Sequence, residues 1–490
     1  MKKKMTCIVL LASMLVGCGA AGNEVSTDAQ ESASNVAAAE DSTSETNADG
    51  SAIQNDATDS DENDDAESDA SAGNSDASAE NSDGTEADNS SAESGTAEDS
   101  SDDASEDTSN SEAKEDGDMA TEIVIPEIDI TQNELPDNEA IQFVQDMKLG
   151  FNLGNTFDAY SDTSTGDDLE METIWGNPET SKEFIQAVHA NGFDTIRIPV
   201  SWHNHVDEDY NINEAWLSRV QEVVDYAIDD GMYVIINIHH DNHEEANCFY
   251  PDEEHKEQSL TYVEKIWTQL SERFKDYDNK LIFESLNEPR LIGHANEWWI
   301  DANNEDCKEA ISVINELNQK FVDVVRASGG NNTDRYLMCP GYCASPDGAL
   351  NDGFVLPTDT ADNKIIVSVH AYTPYSFALE MPGVDTFDAD SYVSTKDIDS
   401  FMDKLYDKYI SQGIPVLIGE AGCMNKNNNV QARVNWAAYY TAKARSCGLT
   451  FLWWDNGAFA GNGELFGLIR RSDGTVVYQD ILDAMLKYCE

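Results

Sequence analysis

Two glutamates close short apolar runs in this chain. Glu288 ends Leu281-Ile-Phe-Glu-Ser-Leu-Asn-Glu-Pro289, and Glu420 lies near the end of Val416-Leu-Ile-Gly-Glu-Ala-Gly422. Pro289 cannot continue a strand ladder, so the chain turns there and leaves the Glu288 carboxyl, with the Asn287 amide beside it, at the mouth of a buried strand. One carboxyl so placed is a helix cap or an ion-pair partner. Two can divide the roles of proton donor and nucleophile, provided their surroundings keep one protonated and the other ionised. Polar or aromatic groups end other apolar runs in the same way: Asn152, Arg197, His239 and His240, His370 and Tyr372, and Trp454. Arg197, charged at every relevant pH, can hold a carboxylate ionised and aligned, and Tyr372 can donate it a hydrogen bond.

The elements that position these groups follow from the hydrophobic pattern. Strands are predicted over Lys148–Leu153, Thr195–Val200, Tyr233–His239, Leu281–Leu286, Tyr336–Tyr342, Ile365–Tyr372, Pro415–Ala421 and Thr450–Trp454. Helical periodicity fills the gaps at Ser181–Asn191, Glu214–Asp230, Leu260–Phe274, Ile311–Ala327 and Gln431–Cys447, with a last helix at Tyr478–Tyr488. Helix, glycine, then strand is the repeating unit of a parallel sheet with right-handed crossovers, and eight repeats predict a (β/α)8 TIM barrel, an α/β fold. The alternative, an open doubly wound sheet, would carry a glycine-rich phosphate turn after its first strand, and Gly150-Phe-Asn-Leu-Gly154 is not one. In a barrel the C-terminal strand ends share one face. The polar ends then converge, and Glu288 and Glu420 confront each other across the mouth as glycoside hydrolysis requires.

Composition divides the 490 residues into three parts: 1–18, 19–121 and the domain 122–490. The first has Lys2, Lys3 and Lys4, the apolar run Cys7–Val16, and Leu15-Val16-Gly17-Cys18. That is a secretory signal, too short for an ordinary membrane span. Its end resembles the bacterial lipobox, which implies lipidation of Cys18 and a protein tethered outside the cytoplasm; the alternative is cleavage and secretion. Between Gly19 and Asp118 there are 31 acidic residues against one base, Lys114, and no Phe, Tyr or Trp. So little apolar surface cannot offset the entropy of ordering, and a disordered spacer is expected. The rest holds 64 acids and 25 bases, which argues against nucleic acid and suits a neutral substrate. The odd number of cysteines between Cys248 and Cys489 (seven) reads as buried thiols with room for a bridge or two.

His239-His-Asp-Asn-His243, followed by Glu244 and Glu245, invites a metal reading. Strand alternation is expected to send His239 and His240 to opposite sides, and no helical His-Glu-x-x-His is present, so sugar contacts are favoured over a metal. Trp175, Trp202, Tyr250, Trp298, Trp299 and Trp454 are candidates to stack on pyranose rings, Trp298 and Trp299 on the leaving-group side.

Eight segments together resemble glycoside hydrolase family 5, in its bacterial endoglucanase branch. They are Gly150-Phe-Asn-Leu-Gly-Asn-Thr156, Thr173-Ile-Trp-Gly-Asn-Pro178, Arg197-Ile-Pro-Val-Ser-Trp202, Asn237-Ile-His-His-Asp241, Phe283-Glu-Ser-Leu-Asn-Glu-Pro289, Ser368-Val-His-Ala-Tyr372, Ile418-Gly-Glu-Ala-Gly422 and Trp453-Trp-Asp-Asn-Gly457. The resemblance implies Glu288 as acid/base and Glu420 as nucleophile of a retaining reaction. It places Arg197, His239, Asn287, His370, Tyr372 and Trp454 at the remaining family positions; with Asn152 and His240, read from their own strand ends, these are the expected substrate-binding residues. It also implies a cis peptide at Trp454–Asp455. Ala421 departs from the phenylalanine many relatives carry there. The expected activity is that of an endo-β-1,4-glucanase on β-glucan polysaccharide, monomeric, with no cofactor and no metal, touching the membrane only through its anchor. Alternatives are a xyloglucanase, lichenase, xylanase or mannanase of the same family, or a non-catalytic carbohydrate-binding surface protein. No separate binding module is expected after the barrel.

Overall fold

The computed structural model describes residues 122–161, 168–244 and 247–490. Cys18, the signal segment 1–18, the spacer 19–121 and Glu245 lie outside the described residues.

Eight parallel strands close a barrel in sequence order: β1 Leu149–Leu153, β2 Thr195–Ile198, β3 Tyr233–Asn237, β4 Leu281–Glu284, β5 Leu337–Pro340, β6 Ile365–His370, β7 Val416–Ala421 and β8 Thr450–Asp455. β1 pairs with both β2 and β8, which completes the ring. Ten α-helices are described: α1 Glu139–Asp146, α2 Lys182–Ala190, α3 Glu214–Asp230, α4 Lys256–Phe274, α5 Glu305–Ala327, α6 Pro346–Leu350, α7 Tyr375–Ala378, α8 Tyr392–Lys408, α9 Val430–Ser446 and α10 Gln479–Tyr488. All eight predicted strands exist. Their C-terminal ends come earlier than predicted in several cases, so Asn287, Glu288 and Tyr372 sit just beyond the ladder. No described helix is long and apolar enough to cross a membrane.

Alternation within the strands sorts side chains between two environments. Leu149, Phe151, Leu153, Ile196, Ile198, Val234 and Ile236 face the helices in the main core. Ile235, Ile282, Met338, Ile366, Leu417 and Leu452 fill the lower lumen, which α1 plugs with Ala140, Phe143 and Val144. Gly150 leaves the space that Leu452 occupies there: a Cβ on it would lie 2.1 Å from Leu452 Cγ. Above this apolar layer the inward residues turn polar: Asn152, Arg197, Asn237, Glu284 and Ser368 are all fully buried. A sealed hydrophobic floor thus carries a polar storey beneath the catalytic face of the barrel.

Three expectations are corrected. All seven domain cysteines are buried free thiols, packed as small apolar groups, so no bridge forms among them. The Trp454–Asp455 peptide is not cis; the cis bonds among the described residues are Thr373–Pro374 and Met381–Pro382. Asp455 instead continues β8 opposite Leu153, and its carboxylate accepts the N–H groups of Gly457, Leu468 and Ile469. His239 and His240 do not diverge: the ladder stops at Asn237, alternation lapses, and the two rings meet edge-to-face at 4.4 Å.

Residues 122–138 have no regular structure yet are fastened along the helical shell. Gln431 exchanges two hydrogen bonds with the Val124 backbone, the Tyr488 hydroxyl bonds Ile128 N and Pro126 O, and Asn133 N donates to Ser446 O. Ile123, Ile125, Ile128 and Leu135 press their side chains on the core. Starting the chain at Asn138 instead of residue 122 should therefore lower stability by about 2–4 kcal/mol, from the apolar area re-exposed. Urea denaturation of the two chains checks this, and coincident midpoints would show that the strap contributes nothing.

Candidate active site

Arg197 is the hub of the polar storey. Its Nε donates to Glu284 Oε2 at 2.7 Å, Nη1 to Glu420 Oε1 at 2.7 Å and Asn152 Oδ1 at 3.0 Å, and Nη2 to Asn287 Oδ1 at 2.8 Å. Burial opposes its charge, but the Glu284 and Glu420 carboxylates more than compensate, so the guanidinium is held more firmly cationic than usual. Glu284 is saturated in turn, accepting from Ser368 Oγ at 2.6 Å and Asn237 Nδ2 at 3.0 Å.

Asn152 and Arg197 were expected among the substrate-binding groups, and the structure places both beneath the surface of the cleft. Both have no exposed surface. The Asn152 amide is spent on the Gly419, Leu452 and Trp453 carbonyls and on Arg197. They form the floor beneath the cleft and orient what lies above it.

Glu420 comes from a β7 segment that departs from regular pairing. Ile418 and Ala421 lie opposite Phe451 and Trp453, so β7 carries one extra residue against β8, and the β6 register shifts at the same place. Such a bulge re-aims a side chain. Here it delivers Glu420 onto Arg197 Nη1 and under the Tyr372 hydroxyl, which donates to Oε2 at 2.8 Å. Gly419 permits the arrangement, since a Cβ there would lie 3.2 Å from His370 Nε2. Burial, then the Glu420 charge, push the Tyr372 phenol well above its ordinary range, so it stays a donor.

Glu288 has a different company. His370 Nδ1 is 2.8 Å from Glu288 Oε1 and 3.7 Å from Glu420 Oε1. Burial alone would raise the Glu288 carboxyl, but the His370 hydrogen bond and nearby cations outweigh it and hold it below the usual range. His370 moves the opposite way: burial lowers it, and the Glu420 charge and Glu288 contact raise it on balance. The two titrate as a pair that shares a proton. Glu288, His370 and Glu420 each offer an atom within 4.8 Å of the others, so a carboxylate oxygen of Glu288 lies no farther than that from one of Glu420. This matches the separation of about 5–5.5 Å for direct carboxylate attack, not the about 6.5–9.5 Å that leaves room for an intervening water.

The opposite wall is built on Asp158, His239 and His240, which also bring their ligating atoms within 4.8 Å of one another. Burial pushes Asp158 up to about 6 although the Thr156 and Asn155 N–H groups bond it, and burial lowers both histidines, His240 to about 3. Asn237 Oδ1 accepts from Val200 N and its Nδ2 donates to Glu284, so that Nδ2 also donates to His239 Nδ1 at 3.1 Å. His239 therefore carries its proton on Nε2, a donor for a hydroxyl and not a lone pair for a metal.

Trp454 lies parallel to His239, with ring centroids 5.9 Å apart, and Trp175 is 5.7 Å from His240. Among the other expected rim aromatics, Trp202 and Tyr250 are buried and serve packing. Trp298 stacks on Arg290 at 3.8 Å, while Trp299 is 60% exposed with its ring edge-on to Tyr375. Sequence reading assigned no role to Glu284, Asn237, Ser368, Asp158 or Arg290. Glu284 had a signal, an acid inside an apolar strand, but its partners come from β2, β3 and β6.

Comparison with known proteins identifies the family. The sequence pattern of cellulases (glycosyl hydrolase family 5) matches residues 159–460. Endoglucanase B of Ruminococcus albus is 42% identical over 371 residues, covering 74% of this chain and 85% of the relative. A family 5 lichenase from Caldicellulosiruptor sp. F32 is 52% identical with a TM-score of 0.74, covering 75% of this chain and all of that one. A broad-specificity endoglucanase from Ruminococcus champanellensis, solved with bound cellotriose, is 42% identical with a TM-score of 0.66, covering 72% of this chain and all of that one. By pattern, sequence and structure alike, the chain belongs to the cellulases of glycosyl hydrolase family 5.

Proposed function

We propose that this protein is a retaining endo-β-1,4-glucanase that cuts internal bonds of β-glucans. The observation that carries the reading is that Glu288 and Glu420 bring carboxylate oxygens within 4.8 Å of each other in unlike surroundings. Glu420, held by Arg197 and Tyr372, attacks the anomeric carbon while Glu288 protonates the departing glycosidic oxygen, giving a glycosyl-enzyme and a free chain end. Glu288 then takes a proton from water, whose oxygen attacks the anomeric carbon and displaces Glu420. Asn287, whose Oδ1 is tied to Arg197, has its N–H2 to offer the 2-hydroxyl, and His239, His240 and Trp454 hold the sugar on the glycone side. Trp299 and Tyr375 offer ring faces to the leaving chain. Nothing in these steps calls for a cofactor.

Mixed-linkage glucan is the substrate to try first, given the lichenase relative; xyloglucan, xylan and mannan are the competing backbones. A purely carbohydrate-binding role is disfavoured because both carboxylates are present and each is held by a dedicated partner. The sequence of 1–18 supports a further reading: Cys18 bears a diacylglyceryl anchor, and the acidic stretch 19–121 spaces a monomeric catalytic domain from the outer face of the bacterial membrane. Metabolic labelling with palmitate tests this, with label expected on the wild-type chain and lost in Cys18→Ser; an unlabelled wild type points to secretion.

Reducing-end release from barley glucan, carboxymethyl cellulose, xyloglucan, xylan and mannan should show strong cleavage of the β-1,4-glucans by residues 119–490. Glu288→Gln should lower it by about 10²-fold or more. Silence on all five from a folded domain would move the binding-protein reading forward.

The Glu288–His370 pair also fixes a pH dependence. The acid-competent form carries the shared proton, which leaves as pH rises through the raised His370 titration. The alkaline limb of kcat/KM should therefore be centred above the ordinary histidine value of about 6.5. A limb centred below that value on soluble glucan would contradict the pairing.

A further inference from the structure

Arg290 follows the Glu288-Pro289 turn and is clamped from several sides. Its Nη1 donates to the Glu288 backbone carbonyl at 3.0 Å, its Nε is 3.3 Å from Glu297 Oε1, and its guanidinium lies 3.8 Å from the centroid of the Trp298 ring. Glu297 is itself anchored by the Gly293 N–H, and the Arg290 carbonyl accepts from Asn242 Nδ2 at 2.8 Å. Its Nη1 is thereby fixed 3.7 Å from Glu288 Oε2, the oxygen that His370 does not touch. That is too long for a hydrogen bond, yet between side chains only 14% and 11% exposed it is close enough for Coulomb coupling.

We propose that Arg290 is a positioning residue that sets the working pH range of the Glu288 acid and stabilises the carboxylate left once its proton has passed to the leaving oxygen. The inference rests on the reading of Glu288 as acid/base. A fixed cation beside Oε2 favours the ionised carboxylate, so it opposes the resting proton but lowers the cost of delivering it. The other groups facing Glu288 are His370 and Tyr372 from the end of β6, Glu420 from β7, His240 after β3 and Cys343 after β5, with Glu297 behind Arg290. His370 is held above the usual histidine range by the Glu420 charge and its Glu288 contact, which outweigh burial.

The test compares Arg290→Met, which keeps an unbranched side chain without the charge, with Arg290→Lys, which keeps the charge. Folding is monitored by circular dichroism melts. In the Met variant the alkaline limb of kcat/KM on soluble glucan should move up by about one pH unit, since an opposite charge has been removed. Its kcat/KM on glucan should fall about tenfold or more, while that on 2,4-dinitrophenyl cellobioside, whose leaving group needs no proton, should change little. The Lys variant should keep the limb near its original place. If the Met variant does not fold, Arg290→Gln, which can still donate to the Glu288 carbonyl, takes its place with the same expectations. An unmoved limb in the neutral variant, or an equal loss on both substrates, would overturn the proposal and leave a structural role. Glu288→Gln run alongside separates the two readings: if it cleaves glucan normally, the acid assignment itself fails.

Discussion

A guanidinium buried without exposed surface requires carboxylates around it, and the site is organised by how Arg197 finds them. Taking that charge out of water is costly unless it is paired and hydrogen-bonded on every side. Glu284 below and Glu420 above meet the requirement, and Asn152 and Asn287 take the remaining donors. Glu284 is bound by three groups and closed to solvent, so it serves as a structural partner of Arg197. Glu420 shares its other oxygen with Tyr372 and retains slight exposure, so it is the carboxylate available to react. One buried cation thus separates a structural acid from a reactive one.

The same constraint explains why the apolar lower lumen and the polar storey lie in adjacent layers. The plug of α1 and the ring of Ile235, Ile282, Met338, Ile366, Leu417 and Leu452 exclude water from beneath Arg197, and in that surrounding its ion pairs are stronger than at a surface. Above it, the two carboxyls diverge through their partners: Arg197 and Tyr372 donate to Glu420, whereas His370 shares a proton with Glu288. The asymmetry that acid/nucleophile chemistry needs is built from contacts between groups on or just after strands β2, β4, β6 and β7, and no single segment contains it.

Much of this was legible in the sequence because barrel strands announce themselves as short apolar runs and barrel chemistry gathers at their C-terminal ends. Glu288, Glu420, His370 and Tyr372 were found that way and lie together as expected. What the pattern could not convey was depth. Asn152 and Arg197 end strands like the others, but their inward phase and early position bury them below the cleft. The extra residue in β7 that aims Glu420 leaves no mark in Val416-Leu-Ile-Gly-Glu-Ala421 beyond a glycine. His239 and His240 were misplaced because the ladder ends two residues sooner than the apolar run suggests. Trp202 and Tyr250 look like rim aromatics by position, and only packing shows them to be core.

The central claim is that Glu420, aligned by its hydrogen bond from Arg197, forms a covalent bond to the sugar. Incubation with 2,4-dinitrophenyl 2-deoxy-2-fluoro-cellobioside, followed by mass spectrometry of the intact protein and its peptides, tests it directly. The account predicts one added fluoro-cellobiosyl group, carried by the peptide that contains Glu420. An unlabelled protein that still hydrolyses glucan, or a label on a peptide lacking Glu420, would contradict it.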